Sequence, residues 1–95
     1  MVIGVCRLRV LLHDVFSLKH KRGIIKRIIG RVQSRFHVSI AEVADNDRMC
    51  SSVIGFCVVG NDRRFVNSVV DKIANFVESL YLGEIIERSI EIINV

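Results

Sequence analysis

Residues 2–12 read VIGVCRLRVLL, and five positions later the pattern of the chain changes at SLKHKRGIIKRIIGR, residues 17–31. That change decides the fold. In the first stretch Val2, Cys6, Leu8, Val10 and Leu12 alternate with Ile3, Val5, Arg7, Arg9 and Leu11, which is the period-two pattern of a strand with one fully apolar face. Ser17 then has the chemistry of a helix N-cap, because its hydroxyl can accept an otherwise unpaired backbone N–H. Beyond it Leu18, Ile25, Ile28, Ile29, Val32 and Phe36 fall on one stripe at helical spacing, with Ile24 at its border. Gly23 and Gly30 each weaken this helix by ~1 kcal/mol relative to Ala, yet the stripe outweighs them.

The remainder alternates in the same way. FHVSIAEVAD, residues 36–45, is rich in β-branched residues and predicts a second strand. DNDRMCSS, residues 45–52, predicts a polar turn, and SVIGFCVVG, residues 52–60, a strand buried on both faces. Asn61 and Asp62 offer caps for a second helix whose apolar face is Val66, Val69, Val70, Ile73, Phe76, Val77 and Leu80, with Gly83 placed to turn the chain out of it. EIIERSIEIINV closes as a strand. The order strand, helix, strand, strand, helix, strand predicts a single α+β ferredoxin-like domain over residues 1–95, a four-stranded antiparallel sheet with both helices on one face. Right-handed crossovers put the first and third strands in its centre.

The blocks MVIGVCRLRVLL, SLKHKRGIIKRI, VSIAEV and IGFCVVGND resemble successive segments of the YlxP-like family of small bacterial proteins, over nearly the whole length. Ser17–Arg22 is the most specific piece and Ala41–Val43 the next. The resemblance implies a ferredoxin-like fold and a family without an established function, whose genes tend to lie among those for translation and ribosome maturation. It implies no catalytic residue. The chain departs from the family at the 45–52 hairpin, where relatives more often carry Gln or an aromatic residue.

The charge is polarised. Residues 1–36 hold nine Lys and Arg against the single acid Asp14, and the rest hold five against nine acids, so a net +4 hides halves of +8 and −4. On a helical wheel Lys19, Arg22, Lys26 and Gln33 form one exposed stripe and His20, Arg27 and Arg31 another, while Lys21 and Arg35 flank the apolar stripe with their heads reaching water. No acid lies at i+3 or i+4 within the helix to pair with them. Cations in the first turns also oppose the helix dipole, at ~0.3–1 kcal/mol each. Ser17, Lys19, Lys21, Arg22, Lys26, Arg27 and Arg31 are therefore the candidate anion- or RNA-binding residues, with RNA or a ribosomal particle as the expected partner. The alternative is a homo-oligomeric interaction module whose basic helix pairs with an acidic protein surface. Such a patch can equally be matched by acids of the C-terminal half, Glu84, Glu87 and Glu91 or Asp71 and Glu78.

The chain is 51% hydrophobic with a mean hydropathy of +0.41, high for a small domain. An oligomer that covers part of that surface is expected, a homodimer using Ile3, Val5, Arg7, Arg9 and Phe56 on the open sheet face or using an edge strand. Phe56 is the one aromatic residue on the two central strands, a poor platform for base stacking of the kind RNA-recognition motifs use.

Other constellations carry little chemistry. His13, His20 and His37 are scattered and show no metal-ligand spacing, and Asp45-Asn46-Asp47 lacks the glycine and distal Glu of a calcium loop. Glu42, alone among apolar strand residues, is expected to pair with an Arg. Three cysteines without a C-x-x-C pair fit reduced thiols. MVIGVCRLRV, with arginines inside its apolar run, does not read as a signal peptide, and no nucleophile motif or phosphate-binding glycine loop is recognisable, so a non-enzymatic cytoplasmic domain without metal, cofactor or membrane attachment is expected.

Overall fold

The computed structural model describes residues Met1–Val95. Its elements are β1 (Val2–Leu11), α1 (Leu18–Phe36), β2 (Ser39–Ala44), β3 (Ser51–Gly60), α2 (Arg63–Ser79) and β4 (Glu84–Asn94). The strands form one antiparallel sheet in the order β2-β3-β1-β4, with β3 and β1 central, which is the ferredoxin-like arrangement.

The alternation of β1 becomes the two faces of the sheet. Val2, Cys6, Leu8 and Val10 are buried under the helices, where they meet Ile25, Ile28 and Val32 of α1 and Val66, Val70, Ile73, Ala74 and Val77 of α2. Both predicted caps form. Ser17 Oγ accepts the His20 N–H at 3.0 Å, and Asp62 Oδ2 accepts the Phe65 N–H at 3.0 Å.

Three details differ from the expectation. The helix α1 runs through Phe36 and ends at His37, whose left-handed backbone (φ 53°) returns its N–H to the Gln33 carbonyl, so β2 begins at Ser39 rather than at 36. Phe36 belongs to the helix because its ring packs edge-on against Phe76 of α2, centroids 5.5 Å apart. The second helix likewise ends before Gly83, with the left-handed turn taken by Tyr81 (φ 53°). Gly83 serves close approach instead: a Cβ there would overlap Val10 and Leu12.

Phe56 requires a correction. It lies opposite Cys6 in the β1–β3 register and therefore points to the helix side, where it is buried in the core. It is not available to an interface on the open face.

Candidate nucleic-acid interface

The first turns of α1 contain both kinds of cation, and burial separates them. Lys21 shares its helix phase with Ile25, Ile28 and Val32 and is 0% exposed. Its ammonium lies 2.9 Å from Glu42 Oε2 and donates to the backbone carbonyls of Asp45 and Asn46, the latter at 3.3 Å. Three acceptors match its three donors, which is what allows an ammonium to leave water. The Glu42 carboxylate, 14% exposed, also accepts from the buried Ser52 hydroxyl at 2.5 Å. Lys21 is thus corrected from an anion-binding candidate to an internal lock between α1 and the β2–β3 hairpin. Glu42 pairs with this lysine and not with an arginine.

The lock extends across the sheet. Asp45, in a left-handed conformation (φ 59°), offers its carbonyl to Lys21 and its Oδ2 to Arg9 Nη1 at 3.0 Å and Ser51 Oγ at 3.1 Å. Arg9 Nε also lies 3.5 Å from Glu87 of β4. The hairpin turn that carries Asp45 is therefore held by charge from α1 and β1.

What remains on α1 is exposed. Lys19, Lys26, Arg27 and Arg31 have no carboxylate within 4.0 Å. Arg22 reaches Asp47 at 3.6 Å, but both side chains stand in solvent, 56% and 93% exposed, so the pair is worth ~0–1 kcal/mol. Arg35 lays its guanidinium over the Phe76 ring at 4.9 Å and the Phe36 ring at 5.7 Å, so its charged head, expected in water, makes a cation–π contact instead. Ser17 has its hydroxyl committed to the cap.

Gly23 and Gly30 sit in the middle of this face. A Cβ at either would meet no atom within 4 Å, so neither glycine is required by packing. Helical spacing puts Lys19, Lys26 and Arg27 at i−4, i+3 and i+4 of Gly23, and Lys26 and Arg27 at i−4 and i−3 of Gly30. The result is a strip of bare backbone bordered by unpaired cations.

The open sheet face collects the other predicted residues. Ile3 and Val5 are half-buried and Arg7 is exposed, facing Gly55 of β3 and Ser89 of β4 without a carboxylate partner. Val5 and Arg7, with Arg9, Val43, Val53, Cys57 and Glu87, border a shallow groove of about 670 Å³. No group of three or more His, Cys, Asp or Glu side chains is placed to hold a metal ion, and no helix is long and apolar enough to cross a membrane. Burial raises the Cys6 thiol to about 11, countered in part by the Arg88 charge, so this cysteine stays protonated.

A family model described as "Protein of unknown function (DUF503)" matches residues 3–90. The chain belongs to the DUF503 family. It is 33% identical over 78 residues to "Uncharacterized protein YlxP" of Bacillus subtilis (strain 168), a match that covers 82% of this chain and 85% of that one. Among solved structures, "De novo designed protein Foldit4" aligns with a TM-score of 0.55 at 18% identity, over 99% of this chain and 97% of that one. At that identity the likeness concerns the fold alone. Membership of DUF503 brings no assigned activity, so the functional reading rests on the geometry of this chain.

Proposed function

We propose that this DUF503 protein binds RNA, free or in a ribonucleoprotein, through the outer face of α1. The observation that supports it is the set Lys19, Lys26, Arg27 and Arg31, four cations on one helix with no internal counter-charge. Like charges at i+4, as in Arg27 and Arg31, destabilise a helix slightly, and Lys19 faces the positive end of the dipole. Phosphates would relieve both. The exposed glycines Gly23 and Gly30 let a backbone approach the helix closely between the cations. Contact of this kind is independent of sequence and sensitive to salt. A place in translation or ribosome maturation is suggested by the family resemblance only.

The test is binding of a structured RNA at two salt concentrations by wild type and by Lys19→Glu/Lys26→Glu/Arg27→Glu. Loss in the variant and weakening with salt are expected. Equal affinity in the two proteins, or none at low salt, refutes the reading.

A second reading, a homodimer through the open sheet face, is favoured by a different observation. Ile3, Val5, Val59 and Ile93 share that face with Arg7 and Glu91, neither of which has an ion-pair partner within its own chain. In a two-fold assembly the same patch meets itself, and Arg7 of one copy would need the carboxylate of the other. Light scattering at micromolar concentration tests it, and a monomer refutes it.

A further inference from the structure

Two aromatic side chains stand almost free of the protein: Phe16 is 83% and Tyr81 90% exposed. Local physics explains neither. Phe16 precedes the N-cap of α1, the position from which an apolar side chain normally packs down on the fourth helical residue. That residue is Lys21, whose stem points inward to Glu42, so Phe16 has nothing to staple. Tyr81 occupies a left-handed position at the end of α2, where Gly or Asn is favoured. An aromatic residue there is both sterically disfavoured and left in water.

The topology places the loops that carry them at one end of the sheet. Leu11 lies opposite both Glu84 and Ser51, so the β1–α1 loop, the α2–β4 loop and the β2–β3 hairpin leave the sheet at one end. His13 Nε2 lies 3.0 Å from Glu84 Oε2 across the first two, and the Leu12 N–H donates to the Cys50 carbonyl at 2.8 Å across the third. The Phe16 loop otherwise exposes His13, Asp14 and Ser17 and leads directly into Lys19 and the basic face, while Tyr81 shares a shallow pocket with His13, Glu78 and Glu84. An aromatic residue in polar surroundings is not the apolar patch of a dry protein interface. It is the setting in which unpaired bases stack, since every base has a π-face and its phosphate seeks a cation.

We infer that Phe16 and Tyr81 form a stacking platform for the bases of single-stranded RNA whose phosphates run along the Lys19–Arg31 face of α1. This deepens the RNA reading above and rests on it. It also specifies the strand: a duplex keeps its bases stacked and offers the aromatics nothing.

The experiment uses a fluorescein-labelled single-stranded oligouridylate and a blunt RNA duplex of equal length, with wild type, Phe16→Ala/Tyr81→Ala, and Lys19→Glu/Lys26→Glu/Arg27→Glu. Both aromatics are exposed, so their removal leaves the fold intact, which circular dichroism verifies. Wild type is expected to prefer the single strand, and the aromatic variant to lose roughly tenfold or more of that affinity with its salt dependence unchanged. The chain has one tyrosine and no tryptophan, so quenching of tyrosine emission on binding reports from Tyr81 directly. An aromatic variant that binds like wild type, while the charge variant fails, overturns the platform and leaves RNA binding standing. No RNA binding by wild type at low salt overturns both. Self-association that depends on the two aromatics, without RNA, assigns this end to a protein partner and overturns the platform as well.

Discussion

Replacing Lys21 by Met separates an internal lock from a partner-binding cation. The substitution keeps the length and apolar stem of the side chain and removes the ammonium. Glu42 is then a carboxylate 14% exposed with the Ser52 hydroxyl as its one remaining donor, and the Asp45 and Asn46 carbonyls each lose a side-chain donor. Breaking a buried ion pair from one side leaves a charge uncompensated and costs ~3–5 kcal/mol. A domain of this size has a total stability of only ~5–15 kcal/mol, so the variant lies near the limit of folding. Even the lower figure lowers Tm by roughly 12–24 °C. Adding Glu42→Gln removes the stranded charge while an amide oxygen still accepts from Ser52, so Lys21→Met/Glu42→Gln regains part of the loss. Urea titration of wild type, both single variants and the double gives the coupling through a double-mutant cycle. A Lys21→Met variant within 1 kcal/mol of wild type, or a coupling near zero, refutes the lock. Under conditions where it folds, Lys21→Met retains RNA affinity, because Lys21 does not face solvent.

The four free cations predict a slope of log K against log salt near −3 for single-stranded RNA, at about −0.7 per phosphate, so raising salt from 50 to 200 mM weakens binding ~50-fold; a slope near zero means the cations touch no phosphate. Gly30→Ala, which places its methyl in open space, stabilises the protein by ~0.8–1 kcal/mol in urea titration, and a loss of RNA affinity in this more stable variant marks close approach at that backbone. Between pH 8 and 10 the unfolded chain loses the Cys6 proton, ordinary value 9.0, while the fold retains it to about 11. The unfolded state then binds fewer protons, so stability falls with rising pH, by roughly 1 kcal/mol for this group, and comparison of wild type with Cys6→Val isolates that share.

Periodicity made the fold readable because β1 and α1 each bury one face and so mark their own phase. The third strand carries no such mark. Residues 53–59 are apolar on both sides, except for Gly55, and only the register of Phe56 against Cys6 reveals which side lies under the helices. The α1–β2 boundary was illegible for a related reason: Phe36 and Val38 suit a strand as well as a helix end, and the cap is a backbone turn at His37 that the side-chain pattern does not announce. Lys21 left a trace. It stands at i−4, i−7 and i−11 from Ile25, Ile28 and Val32, inside the stripe and not beside it, and Glu42 is the one acid in an apolar strand. Charge arithmetic along the helix could not join them, because the partner lies on another element. Phe16 and Tyr81 fall outside every periodic segment, so nothing in the pattern tells exposure from burial.

The two blocks that carry the family resemblance, Ser17–Arg22 and Ala41–Val43, meet in space: Lys21 of the first is bonded to Glu42 of the second. The most distinctive sequence signature is therefore explained in part by architecture, and it cannot also be counted as a ligand-binding motif at that lysine. This narrows the functional argument and sharpens it. Removing Lys21, and discounting Arg22 for its exposed contact with Asp47, leaves cations that no carboxylate of the chain approaches and glycines that no neighbour requires. The Lys19 charge, the Arg27–Arg31 repulsion and the two glycines each lower the stability of α1, and an aromatic residue in the left-handed turn at Tyr81 strains the end of α2. Features that weaken a helix and serve no internal contact are concentrated on one outer face and one end of this molecule, and an anionic partner with stackable bases is the chemistry that would offset all of them together.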